Sequence, residues 1–173
     1  FEGQVALVTG AARRIGRAIA LKLADQGADI AIHYRRSKTE AEQVVNEISA
    51  TGRRAIACPA ELTEKREIEK LFAAVEKAFG RLDILVNNAG MFSPARIDEM
   101  TEEQWDTMLD SNLKAQFMCA QAAVPLMRRN GRGRKRRLRI RGLGCDERVQ
   151  VVVPHRGGAA TAGVHRVGSL ESQ

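Results

Sequence analysis

Short apolar runs alternate with helical stretches along the chain, and this alternation is the feature that most restricts its fold. The apolar runs are residues 5–8, 29–33, 54–58 and 84–86. Apolar residues three and four positions apart follow each run, as they do in a helix that covers one face of a sheet. Consecutive strand and helix units predict a parallel sheet, and right-handed crossovers place helices on both of its faces. We therefore expect an α/β protein with a doubly wound parallel sheet.

The ends of the predicted helices carry recognisable signals. In residues 37–40 and again in residues 101–104, a hydroxyl side chain lies three positions before a carboxylate or amide side chain. This spacing predicts a capping box, in which the two side chains satisfy each other's backbone donors. Gly27 and Gly80 follow the first and third helices, at a position where glycine commonly ends a helix. The last helix is predicted to occupy residues 101–127.

The chain changes character near Arg128. Residues 1–127 hold 16 Lys and Arg against 18 Asp and Glu, whereas residues 128–173 hold 12 against 3. The net charge of +7 therefore comes from the second segment, which has no aromatic residue and eight of the 15 glycines. We expect residues 1–127 to form the folded domain. Residues 128–173 are interpreted as an Arg/Gly-rich tail that is either translated from a shifted reading frame or disordered.

The tail offers the sheet no obvious continuation. Residues 149–153 are a short valine-rich run, but Pro154 and the glycines beyond it leave this run without a predicted partner. The fold is thus expected to be truncated after the fourth strand and the helix that follows it. An open apolar edge on the fourth strand would favour aggregation. The alternative for the tail is a nucleic-acid arm, because clustered guanidinium groups neutralise phosphates, although no aromatic residue is present for stacking on bases.

Several classes of site and location are not indicated by the sequence. The three cysteines, Cys58, Cys119 and Cys145, have the spacing of neither a disulfide framework nor a zinc site, so no metal is expected. The chain begins at Phe1 without a signal-peptide pattern, and it has no apolar run long enough to span a bilayer. We expect a cytoplasmic protein with no membrane partner.

The loop after the first strand has the composition of a phosphate-binding turn. Gly10 allows the chain to turn tightly after the strand, and Gly16 allows the following helix to pack closely. The backbone N–H groups at the start of that helix would face a pyrophosphate, aided by the helix dipole. Between the two glycines lie the further candidate residues Arg13, Arg14 and Ile15. The alternative is that the glycines only shape a turn.

Three motifs in order resemble those of the short-chain dehydrogenase/reductase (SDR) family. They are Thr-Gly-x-x-x-x-x-Gly at residues 9–16, Asn-Asn-Ala-Gly at residues 87–90 and Ser-Asn-Leu at residues 111–113. Arg14 replaces the usual middle glycine of the loop, which is similar to the pattern of pteridine reductases. The resemblance covers residues 1–127. It implies a Rossmann-like fold and an oxidoreductase that acts on a small-molecule carbonyl or pteridine substrate.

The residues after the second strand favour NADP(H) over NAD(H). An NAD enzyme would present a carboxylate there to the ribose 2′-hydroxyl, whereas this chain has guanidinium groups that pair with a 2′-phosphate. The resemblance places Arg13 near the same phosphate. The alternative is that the charges only solvate the end of a strand. The candidate residues of this segment are His33, Tyr34, Arg35, Arg36 and Ser37.

The resemblance implies roles for further residues. Glu61 and Leu62 stand where the family has an aspartate that binds the adenine amino group. Asn88, Ala89 and Gly90 correspond to the segment that lines the nicotinamide side of the cofactor. Asn112 matches the catalytic asparagine that helps to hold a proton-relay water. Each could instead be a structural or solvent-facing residue.

The rest of the family's catalytic set is not found in the chain. The resemblance implies a Tyr-x-x-x-Lys pair and a serine after Asn112, but the one tyrosine is Tyr34 and the last lysine is Lys135. We therefore expect an NADP(H)-dependent reductase whose present chain is catalytically incomplete, with a homo-oligomer formed through the last helix. The alternative function is a non-catalytic dinucleotide-binding protein with a basic, nucleic-acid-binding tail.

Overall fold

The structure is a computed structural model that describes residues 1–92 and 94–129 and the backbone of residues 150–152. Its strands are β1 (Val5–Val8), β2 (Asp29–Tyr34), β3 (Ala55–Pro59), β4 (Ile84–Asn87) and β5 (Gln150–Val152). Its helices are α1 (Arg14–Asp25), α2 (Lys38–Ala50), α3 (Lys65–Phe79), α4 (Glu102–Leu109) and α5 (Ala115–Arg129), with a π-helical turn (Asp110–Lys114) between the last two.

The strands form one sheet in the order β3-β2-β1-β4-β5. The first four are parallel, with Leu7 of β1 opposite both Ala31 of β2 and Leu85 of β4. The order of the strands reverses between β1 and β4, and ligands of such sheets bind in the crevice beyond the carboxyl ends of the strands at that point. The predicted Rossmann-like parallel sheet is confirmed.

Helices cover both faces of the sheet and enclose two apolar layers. Val5 and Leu7 belong to the layer under α3 and α5, whereas Ala6 and Val8 belong to the layer under α1 and α2. Successive side chains of a strand point to opposite faces, so every residue of β1 is buried. This is why the strand is a continuous apolar run instead of an alternating one.

The predicted helix ends are confirmed at three of four positions. Gly80 ends α3 with a φ of 70°, and Gly27 follows the last turn of α1 with a φ of 98°. Thr101 caps α4, and its capping box with Gln104 is formed in both directions. The capping box predicted for residues 37–40 is wrong, because the Ser37 side chain makes no capping hydrogen bond. Its expected partner, Glu40, instead pairs with Arg13 of the first loop.

The predicted last helix is interrupted by a wider turn. The helical path begins at Glu102 and ends at Arg129, as the periodicity indicated, but residues 110–114 form a π-helical turn. Such turns are rare and are frequent at functional sites. This one contains Asn112. Among the described residues, no helix has the length and apolar character needed to cross a membrane.

The expectation that β4 lacks an outer neighbour is wrong. Residues 150–152 pair with it in the antiparallel direction, with Val86 opposite Val151 and Asn87 opposite Gln150. The outer edge of a strand has unpaired N–H and C=O groups that can form hydrogen bonds with another extended segment. A short valine-rich run can therefore pair with β4. The predictions of a shifted reading frame, disorder or nucleic-acid binding concern residues of the tail that lie almost wholly outside the described part.

Candidate functional site

The loop between β1 and α1 lies so close to the end of β4 that Gly16 has no space for a side chain. A Cβ atom on Gly16 would lie 2.4 Å from the Gly10 carbonyl oxygen and 2.5 Å from Asn88 Nδ2. Asn88 Nδ2 itself donates to the carbonyl oxygens of Thr9, at 2.8 Å, and of Gly10, at 3.3 Å. Glycine is therefore required at position 16 by the close approach of the loop to the Asn-Asn-Ala-Gly segment.

Thr9 joins the same two segments and was not singled out from the sequence. Its buried hydroxyl oxygen accepts hydrogen bonds from the backbone N–H groups of Asn88 and Ala89, both at 2.9 Å. The hydroxyl donates to the Val86 carbonyl oxygen at 3.3 Å. The signal for this role was the threonine of the Thr-Gly motif. Its hydroxyl fixes the glycine loop beside the end of β4.

His33 supports the loop from within the protein. Its side chain is 2% exposed; Nδ1 accepts from the Gly10 N–H at 3.0 Å, and Nε2 lies 3.1 Å from the Ala60 carbonyl oxygen. Because Nδ1 accepts, Nε2 carries the proton and donates to Ala60. Burial lowers the pKa of His33, opposed by the bond to Ala60 and the charge of Glu61. Tyr34 is also buried, so both side chains face the core and not the surface of the site.

The start of α1 leaves backbone donors without a capping side chain. Arg13 is the N-cap residue and makes no capping hydrogen bond. Arg14 follows with a φ of 51°, in the left-handed region that favours glycine, which is the residue usual at this position of the family motif. Ile15 is exposed, although it is apolar. N–H groups at a free helix N-terminus attract anions.

Arginines of the loops after β1 and β2 are exposed, and two of them form ion pairs with glutamates. Arg13, in the loop after β1, forms an ion pair with Glu40 in the first turn of α2. Arg35 pairs with Glu61, with 2.5 Å between Nε and Oε2. Arg36 is exposed and forms no ion pair with the residues that the structure describes. Arg13 is thus held at the first turn of α2, the helix that begins two residues after Arg36.

The remaining candidates of this side are less exposed. Ser37 is partly buried at the start of α2. Leu62 is buried in the layer under α3 and α5, next to Ala60, which accepts from His33. Glu61 keeps part of its carboxylate at the surface, where it meets Arg35. Leu62 thus contributes packing, and Glu61 contributes charge.

The π-helical turn holds the segment after β4. Asn112 Oδ1 accepts from the Met91 N–H at 2.9 Å, and its Nδ2 donates to the Met91 carbonyl oxygen at 2.7 Å. A Cβ atom on Gly90 would lie 2.7 Å from Asn112 Oδ1. Asn87 extends the connection, since its Nδ2 donates to the Gln116 carbonyl oxygen at 3.3 Å. The side-chain amide of Asn112 is thus engaged with backbone in this structure.

The described residues contain no cluster of three or more His, Cys, Asp or Glu side chains that could hold a metal ion. Cys58 and Cys119 are both buried as free thiols. Burial raises the pKa of Cys58 to about 11 and that of Cys119 to about 12, so neither forms a thiolate nucleophile near neutral pH. Cys145 lies outside the described residues.

The fold and the site define a doubly wound α/β protein in which a glycine-rich loop after the first strand packs against an Asn-Asn-Ala-Gly segment after the fourth. Residues 4–134 match the family described as short chain dehydrogenase. The chain therefore belongs to the short-chain dehydrogenase/reductase family, a family of oxidoreductases.

Two curated relatives are similar over the same part of the chain. It is 45% identical over 128 residues to 3-oxoacyl-[acyl-carrier-protein] reductase FabG of Staphylococcus aureus strain Mu50, which covers 74% of this chain and 52% of that protein. It is 46% identical over 132 residues to hydroxynaphthalene reductase-like protein Arp2 of Metarhizium brunneum, covering 75% and 49%. The chain thus spans about half the length of these relatives.

Solved structures show the same relation. A short chain dehydrogenase from Burkholderia cenocepacia J2315, solved in complex with NADP, matches with a TM-score of 0.70 and 44% identity, over 73% of this chain and 51% of that one. A dehydrogenase/reductase from Sinorhizobium meliloti 1021 matches with a TM-score of 0.71 and 37% identity.

Proposed function

We propose that residues 1–127 bind NADP(H) in the crevice beyond the carboxyl ends of β1 and β4. The observation that carries the proposal is the ion pair of Arg13 with Glu40, because it brings the cation of the glycine loop to the first turn of α2, the helix that begins two residues after Arg36. Guanidinium groups that converge at this point suit a ribose 2′-phosphate, and a carboxylate at the end of β2 is missing.

The residues of the loop fit the rest of a dinucleotide. The N-terminus of α1 has free N–H donors, and Gly16 keeps the loop close to Asn88, so the helix start is open to a pyrophosphate. Ala89 and Gly90 would then line the nicotinamide side, while Leu62 and Glu61 lie towards the adenine side. His33 and Tyr34 act through the position of the loops, because their side chains are buried.

The reaction we propose for the parent protein is hydride transfer between the nicotinamide and a small carbonyl or pteridine substrate. The curated relatives are named as reductases, and one similar structure holds NADP. Arg14 at the middle position of the loop supports the pteridine-type variant. Asn112 is proposed as a positioning residue of the catalytic segment, since it fixes the backbone of Met91 next to Gly90.

We also propose that these 173 residues bind the coenzyme without completing its reaction. The single tyrosine, Tyr34, is buried on β2, so it cannot serve as the general acid of the family pattern. The domain boundary near residue 128 remains our proposal, and the family match ends close to it, at residue 134.

A second copy of the chain is the partner we propose for the last helical segment. Trp105, Leu113 and Phe117 are large apolar side chains, and each is more than a third exposed. The three residues belong to α4, the π-helical turn and α5, which form one continuous helical path, and exposed apolar patches are typical of interaction surfaces. In light scattering, the original chain should therefore have the mass of a dimer and the Phe117→Glu variant the mass of a monomer. Equal particle masses for the two proteins would contradict the interface.

The coenzyme proposal is tested by fluorescence titration with NADPH and NADH. We expect tighter binding of NADPH, and we expect Arg36→Glu to weaken it roughly tenfold or more, because a charge-assisted contact is replaced by repulsion. Binding of NADH should change little. Lys77→Glu, an equal charge reversal in the last turn of α3, is the control. Equal affinity for the two coenzymes, or binding of neither, would overturn the proposal.

A further inference from the structure

Two ion pairs between an arginine and a glutamate connect α2 with residues 13–17, which span the start of α1. Arg13 pairs with Glu40, and one turn further along α1, Arg17 pairs with Glu47, with Arg17 Nη2 at 2.7 Å and 2.6 Å from the two carboxylate oxygens. Both pairs are partly exposed to solvent. They differ in position, because Arg13 belongs to the glycine loop, whereas Arg17 lies inside α1, away from it. Only the first pair therefore uses a cation of the candidate coenzyme site.

The Glu40 carboxylate is held as an anion beside Arg13. Its pKa is lowered first by a hydrogen bond from its own backbone N–H and then by the bond from Arg13. A backbone N–H at a helix start and a guanidinium group are the donors that a phosphate would also use. Glu40 thus occupies donors of the kind that the proposed coenzyme requires. Arg36, in contrast, has no ion-pair partner among the described residues.

We propose that Glu40 is a specificity-determining residue that competes with the 2′-phosphate of NADP(H) for Arg13. In the free protein the carboxylate satisfies Arg13, and the phosphate must displace it or share the guanidinium. Glu40 therefore lowers the affinity for NADP(H) and leaves the affinity for NAD(H) unchanged. The preference of the protein for NADP(H) over NAD(H) is smaller as a result. This inference rests on the proposed function.

The test compares Glu40→Gln with Glu47→Gln in titrations with NADPH and NADH. Both variants remove one negative charge and one ion pair between the same two segments. We expect Glu40→Gln to bind NADPH about two- to fivefold more tightly, which is the range that one exposed ion pair can supply. Its affinity for NADH should stay unchanged. Glu47→Gln should leave both affinities unchanged, and the gain for Glu40→Gln should shrink at high salt.

A double-mutant cycle shows whether the effect passes through Arg13. In an Arg13→Gln background, the competition no longer exists, so Glu40→Gln should bring no gain for NADPH. A gain of equal size in that background would overturn the competition. So would weaker NADPH binding by Glu40→Gln, because Glu40 would then be orienting Arg13 for the phosphate.

The outcomes separate this inference from the function on which it rests. If the original chain prefers NADPH but Glu40→Gln does not increase that preference, the competition is wrong and the coenzyme site stands. If the original chain shows no preference for NADPH, both are wrong. Circular dichroism of each variant before titration ensures that the compared samples are folded.

Discussion

Arg14 combines backbone strain with a position at the mouth of the candidate site. Among the described residues, it alone has a positive φ without being glycine, and its side chain is exposed. The left-handed conformation costs a residue with a Cβ roughly 1–2 kcal/mol. Strained residues of this kind are common at functional sites, where a side chain needed for binding is kept although it lowers stability. Arg14 is also the first residue of α1, whose N-terminus has no capping side chain.

Replacing Arg14 by glycine should therefore separate stability from binding. We expect Arg14→Gly to raise the free energy of unfolding by about 0.5–1 kcal/mol, since relief of strain is partly offset by the greater entropy of the unfolded chain. NADPH binding should weaken severalfold. Arg14→Ala is the matched control, because it removes the charge but keeps the strain. Urea unfolding and coenzyme titration measure the two effects, and a destabilised glycine variant would contradict the first.

The buried His33 gives stability a dependence on pH. Burial lowers its pKa below the ordinary value of 6.5, so the unfolded chain takes up the proton first as the pH falls. The free energy of unfolding should be at its full value above about pH 6.5 and decrease below it, by at most about 1.4 kcal/mol per pH unit. Protonated Nδ1 also could not accept from Gly10.

Urea unfolding at pH 7.5 and 5.5 measures this effect. The other two histidines of the chain are His155 and His165. A variant with glutamine at both of these positions should keep the decrease, whereas His33→Gln should lose most of it. NMR titration of the histidine rings provides a second check, because the His33 resonance should titrate below pH 6.5. A free energy of unfolding that is the same at both pH values would exclude the effect.

At the residue scale, the sequence indicated candidate donors for a coenzyme but not the protein groups with which they pair. Gly10, Gly16 and the arginines could be predicted, because each belongs to a local motif. The pairing of Arg13 with Glu40 depends on how far α2 lies from the first loop, a distance that no local pattern encodes. For the same reason the sequence, which placed His33 among the coenzyme-binding residues, did not indicate that its buried side chain supports the glycine loop from the core.

At the scale of elements, apolar periodicity predicted strands β1 to β4 and their helices because those elements bury apolar faces. Two details escaped it. Apolar residues continue at a spacing of four through Leu109, Leu113 and Phe117, so nothing in the apolar pattern distinguishes the π-helical turn at residues 110–114 from an α-helix. The second detail is capping. Residues 37–40 and 101–104 have similar patterns, yet only the second forms the box, because Thr101 has the extended conformation of an N-cap residue, whereas Ser37, with a ψ of 62°, does not.

This difference between the two helices can be measured. Thr101→Ala should lower the free energy of unfolding by about 1 kcal/mol, because the Gln104 N–H loses its acceptor. Ser37→Ala should cost only a few tenths of a kcal/mol, since the Ser37 side chain makes no capping hydrogen bond. Urea unfolding of the two variants is the measurement. Equal losses for both would show that a capping box also forms at α2.

At the scale of the whole molecule, the pairing of β5 with β4 is the feature that the sequence did not predict. The chain leaves its regular pattern near Arg128, and residues 150–152 return to the edge of β4 in the antiparallel direction. A three-residue run has no periodicity of its own to predict a partner. The sequence predicted only that β4, an apolar strand, would have an open edge unless another strand paired with it.

The carboxyl ends and the amino ends of the strands have different roles. At the carboxyl ends of the strands lie the loops with the candidate coenzyme residues. At the amino ends, the buried Asp83 carboxylate joins β4 to β1, since its Oδ2 accepts from the Val5 N–H at 2.9 Å. Arg81 holds the same carboxylate with two hydrogen bonds of 2.7 Å each. The amino end therefore supports stability, far from the site.

This division predicts that stability and coenzyme preference respond to different substitutions. Asp83→Ala should lower the free energy of unfolding by roughly 2–4 kcal/mol, because the buried Val5 N–H loses its acceptor and Arg81 its counter-charge. The ratio of NADPH to NADH affinity should stay the same in the molecules that remain folded. Arg36→Glu should do the reverse, since an exposed arginine contributes little to folding. Urea unfolding and titration at low temperature give both quantities, and a changed coenzyme ratio in Asp83→Ala would show that the two ends are coupled through β1 and β4.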